Sequence, residues 1–408
     1  VLCLDIKSFF ASVEAVRLGL NPMTVCLAVI GDKERTGSIV LAASPTMKKR
    51  YGIKTGSRLY QIPVNDPNIV VVEANMGQYL DTSIEITKLL NRFAPMEAIH
   101  QYSIDELWIC VDGTERLFGD RWEIAKKIRK AIYDNFGLPS CIGIGPNKFL
   151  AKVILDVEGK QRGIAECQYE DVQQKLWPQP IKKIWGIGRR MERNLNRLGI
   201  ATLGELAQTP LDFLKKRYGV MGEQLYAHAW GVDRSPVINA WNIDKQKGFG
   251  HGITLLHDYD GDDIRAVILD LAEEVCRRAR SARMAGRTIH FGLGYSKVEG
   301  GGGFNRSRSI DSPTNITLDV YRVCLSLFRE HYNGGIIRSV YLSLNNLSPD
   351  DTLQLDMFNP GKEKQRKIGY VMDSIRAKYG PTALLRARSY TTAGVAIDRS
   401  KKIGGHRA

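Results

Sequence analysis

No stretch of this 408-residue chain stays apolar for long: runs such as residues 25–30 and 69–72 fall far short of the ~20 residues that span a bilayer. A leader of charged, apolar and small residues is also missing from the start. A soluble, unexported, cytoplasmic protein is therefore expected, with no membrane partner. The chain opens on Val1, and a few native residues are expected before it. Cysteine is scarce: Cys3, Cys26, Cys110, Cys141, Cys167, Cys276 and Cys324 are odd in number, mostly set in apolar runs and never in C-x-x-C spacing. That pattern argues against a thiol catalyst and for reduced core thiols. No internal repeat is found.

What is present is ample core and an excess of positive charge. Apolar residues make up 43% and charged residues 25%, the balance of a folded globular chain, and the length implies two to four domains. Lys and Arg total 58 against 44 Asp and Glu, a net +14 that favours a polyanionic partner. The excess is localised. Residues 276–308 hold eight basic residues and one acid, and residues 359–408 hold twelve basic and three acidic, so the first two-thirds of the chain is close to neutral.

Strands alternate with helices up to about residue 165. Short strands are expected at 1–6, 25–30, 38–43, 69–73, 99–103, 107–111 and 140–144, with helical periodicity over 9–16, 77–93 and 121–135. Hairpin-spaced strands in the middle predict an α+β unit rather than a doubly wound sheet. From 166 to 232 the pattern is short helices with glycine turns, and 239–248 reads as a polar linker. Beyond it the order is strand, helix, strand, Gly300 to Gly303, strand, helix, strand, a β-α-β-β-α-β unit with the glycine run as its hairpin loop.

Three acids stand at strand ends, where a buried charge is costly unless something compensates it. Asp5 ends the first strand, and Asp105-Glu106 occupies the bend Ser103-Ile104-Asp105-Glu106 between two others. With those strands side by side, three carboxylates converge as two Mg²⁺ ions about 4 Å apart require.

Asp5-Ile6-Lys7-Ser8-Phe9-Phe10-Ala11-Ser12-Val13-Glu14, Ser103 to Glu106, and Gly143-Ile144-Gly145-Pro146-Asn147-Lys148-Phe149-Leu150-Ala151-Lys152 together resemble the Y-family, or lesion-bypass, DNA polymerases. The resemblance runs from about residue 1 to 358. Trp185-Gly186-Ile187-Gly188-Arg189-Arg190 and Gln354-Leu355-Asp356-Met357-Phe358 point within it to the UmuC-like branch, in its Gram-positive and mobile-element form. The resemblance implies an α+β multidomain, right-hand polymerase. Its palm would be 1–13 and 75–165, its fingers 14–74, and a helix-hairpin-helix thumb 166–238. A β-α-β-β-α-β little finger would follow at 249–346, with a clamp-binding motif and basic tail over 347–408.

By the same resemblance Asp5, Asp105, Glu106 and the Ile6 carbonyl would hold two Mg²⁺ ions, with the Ser103 hydroxyl beside them either capping the turn, the favoured role, or touching the primer. Phe10 would be the steric gate against a 2′-hydroxyl. Backbone N–H groups of Ser8, Phe9 and Phe10, with Lys49 and Lys160, would hold the triphosphate, although Thr46 replaces a usual tyrosine. Gly186, Ile187, Gly188, Arg189 and Arg190 would grip DNA backbone, joined by Arg287, Lys297, Arg306 and Arg308 of the little finger. Gln354 to Phe358 would dock on the bacterial sliding clamp (β subunit).

The implied activity is error-prone, template-directed DNA synthesis in SOS-type damage tolerance, with primer-template DNA and dNTPs as substrates. A UmuD-like accessory protein and association with the nucleoid are expected with it. The rivals are a catalytically weak DNA-binding platform that occupies the clamp at stalled forks, and another palm-based nucleotidyl transferase such as a cyclase.

Overall fold

The strand Leu2–Ile6 (β1) is buried along its whole length, which suits a central strand. After it come β2 (Cys26–Ile30), β3 (Val40–Ala43), β4 (Ile69–Glu73), β5 (Ile99–Gln101), β6 (Glu106–Ile109), β7 (Ser140–Ile144) and β8 (Ile164–Glu166). They form two sheets in this computed structural model, which describes residues 1–239, 246–351 and 361–408.

The first sheet has the order β5-β6-β1-β7-β8, with β1 antiparallel to both β6 and β7. The helices Met76–Leu90 and Arg121–Phe136 cover one face, and Asn75 and Asp120 cap their first turns. The short helix Lys148–Ile154 lies on the other face and comes unusually close. A Cβ on Gly143 would sit 2.0 Å from the Ala151 carbonyl oxygen and one on Gly145 2.6 Å from the Ala151 nitrogen, so only glycine admits the helix there. The second sheet, β3-β2-β4, packs Cys26, Ala28, Ile30 and Val40 against Met47 and Ile53 in a small core of its own.

Apart from β8, the chain from Lys148 to Ala229 is a series of short helices joined by turns and builds a third core around Phe149, Leu176, Leu195 and Leu214. Gly186, with φ of 91°, turns the chain into the helix Arg189–Asn196.

The chain folds as two compact units, one of residues 1–243 with 406–408 and the other of residues 244–405. In the second unit β9 (Gly248–Tyr259), β10 (Met284–Tyr295), β11 (Gly303–Thr314) and β12 (Ile337–Pro349) form an antiparallel sheet of order β11-β10-β12-β9. The helices Ile264–Ser281 and Thr317–His331 lie on its inner face, giving the expected β-α-β-β-α-β order. All four strands outrun their apolar alternation, because ladder pairs such as Met284 with Pro349 and Ala285 with Ser348 need only backbone groups.

The C-terminal segment is not a separate tail. The helix Lys362–Tyr379 joins the second unit through ion pairs: Arg280 is buried and grips Asp373 at 2.6 and 3.0 Å, while Glu273 meets Arg376 at 3.3 Å and Arg386 at 2.6 Å. Asp350 accepts from Arg366 and Tyr370, and Asp270 accepts from the N–H groups of Val395 and Ala396. Part of the tail's basic excess is thus neutralised inside its own unit.

All seven cysteines are free and six are buried, and burial pushes Cys141 up to about 11 and Cys167 to about 12. Among the described residues no helix is long and apolar enough to cross a membrane.

Candidate active site

The β1–β6 register sets Asp5 directly opposite Glu106. The turn before Glu106 is tightly held: the N–H groups of Tyr102 and Ser103 both reach the Glu106 carbonyl at 3.0 Å, and the Ile6 N–H reaches the Asp105 carbonyl at 3.1 Å. Ser103 Oγ accepts from the Glu106 N–H at 3.1 Å and donates to Asp105 Oδ1 at 2.7 Å. The serine therefore caps the turn and also holds one acid in place.

Behind the acids runs a chain of alternating charge. Lys152, buried at 4% exposure, pairs with Glu106 and lies 3.2 Å from Asp156. Lys160 bridges Asp156 at 2.8 Å and Asp5 at 3.0 Å. A π-turn over Leu155–Gly159 shifts the helical phase between the two lysines, so that Lys160 reaches Asp5. Burial, and then the hydrogen bond shared with Asp5, push Glu106 up to about 7. Burial alone would lower Lys152 and Lys160, but the carboxylates hold both above the usual lysine value.

Among the described residues no three acidic, His or Cys side chains gather closely enough to cage a metal as they stand. Asp5 and Glu106 are brought together, while Asp105 is held by Ser103. The donor set nonetheless suits a hard divalent cation: the oxygens are carboxylate, and the cation's charge would offset the burial that, ahead of the hydrogen bond with Asp5, pushes Glu106 up.

Phe9 is buried, and Phe10, half-buried, stacks flat on Tyr79 with 4.4 Å between centroids and 14° between planes. Tyr79 is locked in turn, donating its hydroxyl to buried Glu14 at 2.8 Å. Ser8 takes a left-handed conformation, φ 49°, at the start of the helix Phe9–Arg17, and its hydroxyl accepts from Lys48 at 2.8 Å instead of capping the helix. On the helix Pro45–Tyr51 it is therefore Lys48 whose ammonium meets Ser8, while Lys49 lies exposed beside it.

Sequence reasoning passed over Lys48, Lys152 and Asp156. The signal was present in the i, i+4 spacing of Lys152, Asp156 and Lys160, which also suits a solvated helix face.

Gly186 and Gly188 flank the buried Ile187, and a Cβ on either glycine would meet nothing within 4 Å, so their backbone is open to a ligand. Arg189 and Arg190 are exposed beside them. In the second unit the outer sheet face follows from the register: Gly250, Gly252, Thr288, His290, Gly292, Gly294, Asn305, Ser307, Ser309, Ser339, Tyr341 and Ser343. None carries a formal charge apart from what His290 gains on protonation.

Arg287, Lys297 and Arg306 are exposed; Phe304, Arg306 and Arg308 share the helix-side face of β11, and there Arg308 binds Glu330 at 2.7 Å and Ser326 at 2.8 Å. The motif Gln354 to Phe358 lies outside the described residues.

An acid pair at adjoining strand ends could serve a cyclase as well, but a glycine hairpin bounded by arginines and a second sheet-and-helix unit have no use there. They define a right-hand polymerase. The chain belongs to the impB/mucB/samB family, the Y-family of lesion-bypass DNA polymerases, and is a DNA-directed DNA polymerase. The family model matches residues 4–156, its C-terminal domain 246–357 and its HHH motif 169–200.

The chain is 52% identical over 412 aligned residues to the putative UV-damage repair protein UvrX of Bacillus subtilis, covering 100% of this chain and 97% of that protein. It is 41% identical to DNA polymerase IV 2 of Halalkalibacterium halodurans, covering 100% and 98%. A solved chimera of the Y-family polymerases Dbh and Dpo4 shares the fold at TM-score 0.67 and 24% identity, over 85% of this chain and 98% of that one.

Proposed function

We propose that the chain copies damaged template DNA by two-metal nucleotidyl transfer, at low fidelity and as part of an SOS-type response. The observation that carries this reading is the pairing of Asp5 with Glu106 across β1 and β6, with Asp105 held one residue away by Ser103. In the reaction the primer 3′-hydroxyl gives its proton to water, its oxygen bonds to the α-phosphorus of a dNTP, the bond from that phosphorus to the oxygen bridging to the β-phosphate breaks, and pyrophosphate leaves. Two Mg²⁺ ions, when bound, supply the charge that lowers the pKa of the primer hydroxyl and neutralises the triphosphate. Asp5, Asp105, Glu106 and the Ile6 carbonyl are the residues to hold them.

The other parts follow from their positions. Lys160 and Lys48, flanking Asp5 and Ser8, meet the triphosphate, as do the first N–H groups of the helix Phe9–Arg17, with Lys49 nearby. Phe10, pinned on Tyr79, excludes a ribonucleotide. The open backbone of Gly186 to Gly188, with Arg189 and Arg190, holds a duplex phosphate. Arg287, Lys297 and Arg306 add salt-sensitive attraction from the little finger, whereas Arg308 serves the fold through Glu330. The segment Gln354 to Phe358 docks on the sliding clamp, which would raise the local concentration of polymerase at the primer. A UmuD-like accessory protein and residence at the nucleoid belong to the same reading.

Primer extension on damaged and undamaged templates, with purified clamp, tests it. Wild type is expected to extend and D105A/E106A to bind primed DNA without extending it. If both bind equally and neither extends, the platform reading replaces this one.

A further inference from the structure

Three aromatic rings join the glycine hairpin to the acidic turn. Tyr102 immediately precedes Ser103, and its N–H closes on the Glu106 carbonyl at 3.0 Å. Trp108 follows Glu106 by two residues, on the same face of β6. Trp185 opens the hairpin Gly186-Ile187-Gly188. The rings meet edge to face in all three pairings, 5.0 Å for Tyr102–Trp108, 5.6 Å for Trp108–Trp185 and 5.8 Å for Tyr102–Trp185. The Trp185 indole N–H also donates to the Tyr102 hydroxyl at 3.4 Å.

The link is anchored at both ends. Trp108 is buried, donates its indole N–H to the Lys148 carbonyl at 3.0 Å and carries His100 edge-on at 5.5 Å. Trp185 packs both on the helical core around Leu195 and on the cluster of Cys3, Trp108, Cys141 and Ala151 behind the acids. Each edge-to-face pair contributes about 1 kcal/mol beyond its buried area, so a closed trio resists shear between the parts that it joins. No step of the reaction uses these rings.

We propose that Trp185 is a positioning residue. Through Tyr102 and Trp108 it fixes the separation between the hairpin amides and the carboxylates of Asp5 and Glu106, so that a duplex held at the hairpin presents its primer end to those acids in one register. The proposal rests on the hairpin's holding a DNA phosphate, as read above. Grip on that phosphate comes from local amides and from Arg189 and Arg190, and survives loss of the link, whereas a shift of about 1 Å at the reacting atoms costs about 100-fold in rate.

The experiment compares wild type, W185A, W185F and Y102F. Affinity for a labelled primed duplex is read by fluorescence anisotropy, and the maximal rate of one nucleotide addition by single-turnover quench at saturating duplex and dNTP. W185A is expected to lose about 10- to 100-fold in maximal rate with affinity within about threefold of wild type, and W185F to recover most of the rate. Y102F, which removes one hydroxyl from a half-exposed side chain, is expected to lose rate several-fold at unchanged affinity. It decides the matter alone if W185A does not fold. An unchanged rate per bound complex in W185A or Y102F overturns the proposal, as does a fall in affinity that accounts for the whole loss. Failure of the polymerase reading is visible separately, as a wild type that binds primed duplex and adds nothing.

Discussion

Asp5 and Glu106 face each other across two antiparallel strands, and each carboxylate has its own lysine, Lys160 on Asp5 and Lys152 on Glu106. The two lysines are not equivalent. The Lys152 side chain is 5% exposed and the Lys160 side chain 45%.

Lys152→Met strands a buried carboxylate beside another and is expected to cost about 3 kcal/mol in the unfolding free energy of the first unit. The loss stays at that level because Glu106 already sits near pH 7 and can take up a proton. Lys160→Ala is expected to cost less than about 1 kcal/mol, as a half-exposed pair does, and to raise the KM for dNTP instead. Urea unfolding followed by tryptophan fluorescence, beside steady-state kinetics, separates the two; equal stability losses would contradict this division of roles.

The stacked pair of Phe10 and Tyr79 makes a flat wall whose far side is held by Glu14. Forcing a hydroxyl into a packed wall costs about 1–3 kcal/mol, so Phe10→Ala is expected to relax selection against ribonucleotides by about 10- to 100-fold. Competing dNTP and rNTP in single-nucleotide addition measures the ratio. Unchanged discrimination would place the gate on another residue.

The acids and the fold class were legible because both leave marks along the chain: Asp5 and Asp105-Glu106 interrupt strand patterns, and helical and strand periods alternate in the order that the structure adopts. What stayed hidden depends on partners distant in sequence. Lys152 looks like a surface charge until the close approach permitted by Gly143 sets its helix against β1, where Glu106 meets it. Arg280 counts toward a basic face in any segment tally, yet it is buried against Asp373, 93 residues away. The start of β10 and the far ends of β9, β11 and β12 were also invisible, since backbone ladders continue through Ser348 and Pro349 without an apolar signal.

Removing one partner of that buried pair is expected to matter more than removing both. Asp373→Ala leaves the Arg280 guanidinium without its bidentate acceptor and is expected to destabilise the second unit by about 3 kcal/mol, with faster proteolysis within residues 361–405. Arg280→Met combined with Asp373→Leu is expected to regain most of the loss. A double variant that stays as unstable as Asp373→Ala would show that the pair adds net stability over an apolar contact.

His251 lies between Arg278, 2.9 Å from its Nδ1, and Arg399 at its Nε2. Burial first, then these two cations, hold its pKa down at about 4. The folded value lies below the ordinary histidine value of about 6.5, so the fold favours the neutral ring, and stability is lost as pH falls from about 6.5 to about 4. For a half-buried ring the loss is expected to be about 1–2 kcal/mol. His251→Gln is expected to flatten that limb of the stability curve and to leave stability at about pH 8 within about 1 kcal/mol of wild type. An unaltered slope would assign the acid sensitivity elsewhere.

The outer face of the little-finger sheet is built from glycine, hydroxyl and amide residues around Tyr341, whose ring lies across Gly252 with its hydroxyl toward Gly250. A face without fixed charge contributes contact but no counterion release, so on the proposed reading the salt dependence of DNA binding is expected to arise at its basic surroundings and at the hairpin. Arg287→Ala is expected to reduce the slope of log affinity against log salt by about 0.9, the share of one phosphate contact. Tyr341→Ala is expected to weaken binding at every salt concentration with the slope unchanged. Arg308→Ala is expected to leave the slope unchanged too, because that guanidinium is already neutralised by Glu330. Anisotropy titrations between about 50 and about 200 mM salt measure all three. A shallower slope for Arg308→Ala would mean that its pair with Glu330 opens when DNA arrives.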